Sequence, residues 1–103
     1  MALDYAGLKE LRDGILKLID QTSDFDRKKE LGDELTKVQD LIDQKIYENL
    51  KKDTPKYEEA TAALDKANQS IKEAQKDIAK VAETITQIAK GIDLAVEVAS
   101  KVT

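Results

Sequence analysis

From Tyr57 to Val102, every position reached by alternating steps of three and four residues is apolar. The series reads Tyr57, Ala60, Leu64, Ala67, Ile71, Ala74, Ile78, Val81, Ile85, Ile88, Ile92, Ala95, Ala99 and Val102. A half-buried strand would alternate with a period of two. Steps of three and four instead place these side chains along one face of a helix. Kept without a miss, the pattern predicts one continuous coiled-coil-like helix over 55–102, roughly 70 Å long at 1.5 Å per residue. Its start is marked by Thr54, which can cap, and by Pro55 at the first helical position, where a missing N–H costs nothing. Lys51 and Lys52 suit the last turn of a preceding helix, so the chain is expected to reverse at 53–54.

The first half is helical in pattern but less regular. Leu8, Leu11, Ile15, Leu18, Thr22 and Phe25 form one three-four series, and Leu31, Leu35, Val38 and Ile42 form another. The second series starts one residue early relative to the first. That offset matches neither a stutter nor a stammer, so it predicts a kink or break near residues 22–25, with Ser23 as a cap. The expected helices are therefore about 4–21, 24–52 and 55–102 in a single domain, 1–103. Reversal at 53–54 lays 24–52 along 55–83 and 4–21 along 86–103. The predicted fold is all-α, a long antiparallel helical hairpin, with a compact three-helix bundle as the alternative. In the hairpin, Gly14 and Gly91 fall at one level and suggest a close approach of the two rods.

The seam of this hairpin takes Leu11, Ile15, Leu18, Leu35, Val38 and Ile42 from the first arm. From the second it takes Leu64, Ile71, Ile78, Val81, Ile85, Ile88 and Ile92. One seam does not use all the apolar side chains. Leu16, Ile19, Leu41, Tyr47, Leu94, Val96 and Val98 lie beside it and form a candidate oligomer or partner face. A two-helix rod of this size has little core of its own. The surplus therefore predicts a homodimer, two hairpins making a four-helix bundle, or docking to another helical protein.

Composition narrows the chemistry. The chain has no Cys and no His, so disulfides, zinc fingers and Cys or His nucleophiles are excluded. No Gly-rich phosphate loop is present. Every Asp and Glu falls at a position expected to be wet, which leaves no pair of carboxylates tuned for acid–base work. No enzyme, no cofactor and no metal site is expected. Residues 1–52 carry 10 basic and 12 acidic side chains and residues 53–103 carry 7 and 9, so each half is at −2. Charge mixed this evenly lacks the clustered basic face of a nucleic-acid binder.

The expected function is thus a non-enzymatic structural or interaction module acting through coiled-coil self-association or partner-helix binding. A membrane-active role for the apolar segment 85–102 is the alternative. The N-terminal residues lack a basic region and an apolar core, and no apolar run approaches the ~18 residues of a spanning helix. A cytoplasmic location is the default expectation, with signal-less export left open.

Overall fold

The computed structural model describes residues 3–48 and 54–100. It contains four α-helices and, among the described residues, no strand: α1 (Tyr5–Gln21), α2 (Phe25–Asp43), α3 (Pro55–Lys76) and α4 (Val81–Ser100). Single 3₁₀ turns follow α2 at Ile46–Glu48 and precede α4 at Ile78–Lys80.

The first three helices each begin where a short side chain can satisfy the unpaired amides of the first turn. The Asp4 carboxylate accepts from the Gly7 amide at 2.7 Å, opening α1. Asp24, rather than Ser23, opens α2 by accepting from Asp26 and Arg27 at 2.9 and 3.2 Å. Thr54 accepts from Tyr57 at 3.2 Å with Pro55 behind it, as expected for α3. The break between α1 and α2 falls at 22–24, inside the predicted window. There Thr22 turns its hydroxyl back onto the Leu18 carbonyl at 2.6 Å.

The helix expected over 55–102 is two helices. Asp77 ends α3 in extended backbone (φ −144°, ψ 94°), and its carboxylate then caps the next turn at the Ala79 amide, 3.2 Å away. An Asp inside a helical run offers the backbone this local alternative. Packing selects it. A straight rod would bury one face of α4, whereas the bent chain sets α4 against both α3 and α2. Val81, Thr84, Ile85, Ile88, Gly91, Ile92, Ala95 and Val98 are all buried as a result, a stripe two positions wide. Each large aliphatic side chain taken from water contributes about 1.5–3 kcal/mol. Several such side chains outweigh one interrupted turn.

The molecule measures 40 × 21 × 19 Å, so the 70 Å hairpin does not form. Instead α1 packs on α2 and α3, and α4 packs on α3 and α2, around one core. The α1–α2 pair is antiparallel, with Arg12 beside Gln39, and so is α3–α4, with Lys56 beside Glu97. The four helices run up, down, up and down, in a bundle-like arrangement within one chain. The expected alignment of 4–21 with 86–103 is replaced by α1 against α3. Gly14 and Gly91 accordingly do not meet. Gly14 faces Ile71, Gly91 faces Leu64 and the Ala63 carbonyl, and each is a close approach to α3.

The helix expected over 24–52 closes at Asp43. Gln44 and Lys45 donate their amides to Asp40 and Ile42, and Lys45 takes φ 52°, the left-handed conformation that ends many helices. Ile46 and Tyr47 then fold back onto the core. The Tyr47 ring lies 5.7 Å from that of Tyr5 in a tilted pair. The end of the expected 24–52 helix, from residue 49, and Asp53 of the expected reversal lie outside the described residues.

Candidate interaction surface

The seam residues divide cleanly. Leu11, Ile15, Leu18, Val38, Ile42, Leu64, Ile71, Val81, Ile85, Ile88 and Ile92 are buried in the common core, and Leu35 is half-buried against it. Ile78 is not in the core. It stands 41% exposed on the turn between α3 and α4, although it holds a core position of the heptad.

Most of the surplus apolar residues are consumed inside the chain. Leu41 and Val98 are buried, and Ile19, Tyr47 and Leu94 pack partly buried against the core. Of the candidate face only Leu16 (44% exposed) and Val96 (46% exposed) remain open. The core is larger than the hairpin reading allowed, because each helix has two neighbours instead of one. In the segment proposed as membrane-active, Ile88, Ile92 and Ala95 are fully buried, while Val96 stays open. Among the described residues, no helix is long and apolar enough to cross a membrane.

Leu16 lies in a groove between α1 and α2 of about 490 Å³, with Leu35 across from it and Arg12, Asp13, Gln39 and Asp40 around it. A second groove, of about 370 Å³, runs on the other side of α2, where Leu41, Ile46, Val96 and Ala99 face one another. Both grooves are flanked by polar side chains over an aliphatic floor, the shape that accepts the apolar edge of another helix. Among the described residues no three acidic side chains gather as a metal site.

Phe25 ends the first three-four series, yet it is 78% exposed at the start of α2, in the first turn after the break. Glu34 is the reverse case. It was expected to be wet and is 7% exposed, buried against α4. In α2 the buried line is Leu31, Glu34, Val38 and Leu41, so Glu34 takes the inward position that Leu35 was expected to fill. One oxygen lies 3.5 Å from the Lys37 ammonium; the other has no hydrogen-bond partner among the described residues.

Burial holds the Glu34 carboxyl above the usual carboxylate range. Asp93 on α4 and the adjacent Asp33 push the same way, and Lys37 opposes them. A carboxyl raised on folding binds its proton more tightly in the native state. Stability therefore falls as pH climbs through the raised value, and the ionised side chain costs free energy at neutral pH. Glu34→Gln is expected to stabilise the protein by about 1 kcal/mol at neutral pH. Below the usual carboxylate range that gain should shrink toward zero. Paired thermal melts at neutral and acid pH check it, and a destabilised Gln variant at neutral pH would refute it.

No family model matches the sequence, and neither a curated protein nor a solved structure matches it.

Proposed function

We propose that the protein is a non-enzymatic interaction module that works by helix-on-helix association, its first partner being a second copy of the same chain. The observation that carries this reading is the aliphatic floor of Leu16 and Leu35 left open between α1 and α2 and rimmed by Arg12, Asp13 and Asp40. Singly exposed apolar residues are ordinary on protein surfaces. An aliphatic pair in a groove with charges of both signs at its edge offers a partner helix both a buried anchor and an orientation. The grooves on either side of α2 share Asp40 at their edges. A helix pair from another copy can straddle α2 through them.

Sedimentation equilibrium from low micromolar to near-millimolar concentration tests the reading. The wild type is expected to show reversible self-association. Leu16→Glu, a change at an exposed site, should shift stability by less than about 1 kcal/mol and weaken association roughly tenfold or more. A strictly monomeric wild type, or an unaltered association constant in the Glu variant, would refute this.

A further inference from the structure

We propose that the Asp77–Lys80 turn is a hinge, and that by straightening it two copies of this chain exchange their α4 helices to form a swapped dimer. The inference shares with the reading above the premise that this chain self-associates, but it uses the contacts of α4 and not the Leu16 groove. Three independent features carry it.

The first is the sequence across the turn. Lys76-Asp77-Ile78-Ala79-Lys80 contains neither Gly nor Pro, and the heptad register passes through it unbroken from Ala74 to Ile78 to Val81. Nothing in the chain forbids a continuous helix from Pro55 to Ser100. Locally the bend is held by the Asp77 carboxylate on the Ala79 amide and by the Lys80 amide on the Asp77 carbonyl at 3.0 Å.

The second is Ile78, a core-register isoleucine exposed in the bent form. In a straight helix it returns to the apolar face, between Ala74 and Val81.

The third is the symmetry of the α3–α4 contacts. Ser70 pairs with Thr84 at 2.8 Å, Leu64 with Gly91, and Lys56 with Glu97 at 3.1 Å. Each of these pairs is centred within half a residue of position 77. Two straightened helices laid antiparallel on that register would have their two-fold axis at Asp77. Every contact that α4 makes with α3 and α2 is then remade with the other copy, and only the hinge changes. Exchange of this kind is an accessible route to a dimer when a short connection is the sole difference between the two forms. Ile78 and its counterpart would fall on either side of the axis and bury each other. Asp77 resists twice, by capping the bend and by meeting its own counterpart at the axis.

The test uses the absence of cysteine from the chain. A Ser70→Cys/Thr84→Cys pair, oxidised after incubation at high concentration, closes within one chain in the bent form. In the swapped form it joins two chains. The dimer fraction is expected to run as a covalent dimer on non-reducing gels. In the parent background, Asp77→Ala removes the cap and should raise the dimerisation constant by roughly tenfold or more. Ile78→Pro should abolish swapping. It suits the first position after the Asp77 cap, where the preceding backbone is already extended, yet it breaks a straight helix.

Dimers that carry only internal disulfides would overturn the proposal, as would an Ile78→Pro variant that dimerises like the wild type. In either case association lost in Leu16→Glu would leave the groove reading intact. A chain monomeric even as Asp77→Ala would overturn the hinge, and the wild-type sedimentation result then decides the groove separately.

Discussion

Replacing Gly91 by Leu is expected to destabilise the protein by about 3 kcal/mol, while Gly91→Ala should be close to neutral. The two outcomes differ because of what surrounds the site. A Cβ at position 91 would sit 3.0 Å from Leu64 Cδ2 and 3.4 Å from the Ala63 carbonyl oxygen. The Leu64 methyl is the end of a side chain and can move by a few tenths of an ångström. The cost of moving it is offset by the roughly 1 kcal/mol of helix propensity that Ala gains over Gly. A larger side chain must go where the α3 backbone already runs, and backbone cannot yield without separating α3 from α4. Gly32 is the internal control, with nothing within 4 Å of its Cβ direction, and Gly32→Ala should stabilise by about 0.5–1 kcal/mol. Urea titration of the three variants measures the series. A Gly91→Leu protein as stable as the wild type would mean that the two helices stand further apart than described.

Ile88→Ala should cost about 3 kcal/mol, within the 2–5 kcal/mol range for emptying a fully buried aliphatic site. Ile88 has no exposed surface and sits midway along α4, the helix held between α3 and α2. Rigid helices on two sides limit how far the cavity can collapse, so the transfer cost and the void both count. For a domain of this size the loss corresponds to a drop of roughly 12–24 °C in Tm, which differential scanning calorimetry would record. Leu16→Ala, at a groove open to water, should change Tm by only a few degrees. If the two substitutions cost the same, Ile88 is not in the core.

The start of α3 was legible in the sequence because capping is a local matter: Thr54 and Pro55 act within one turn of themselves. The expected 4–21 helix came within a residue of α1, with Asp4 as its cap and not its first residue. The break before α2 was legible from the register slip, although the cap is Asp24 and not Ser23. The bend at Asp77 was not, for a physical reason. No local signal forbids a helix there, and the choice is made by the burial gained when α4 reaches α2 as well as α3. Periodicity reports which face of a helix is apolar. It does not report how many neighbours that face will have. The same limit explains the candidate surface. The excess of apolar residues over one seam was visible, but most of that excess is spent within the chain on Leu41, Val98 and their neighbours, leaving Leu16 and Val96 outside. Glu34 was hidden because adjacent Leu35 fits a three-four series equally well, and only the position of α4 turns Glu34 inward.

The placement of α2 and α3 also sets how the chain can fold in time. These two helices follow one another in sequence but stand at opposite corners, each packed on α1 and α4. Each antiparallel pair, α1 with α2 and α3 with α4, is joined by only a few residues and can close over a short loop. The α1–α3 and α2–α4 contacts need the two pairs to meet. Helical proteins dominated by such near-sequence contacts fold in microseconds to milliseconds. On this topology the joining of the two hairpins is the expected slower event. Residues that face across that divide, Gly14 toward Ile71 and Glu34 toward Asp93, are the ones whose substitution reports on it.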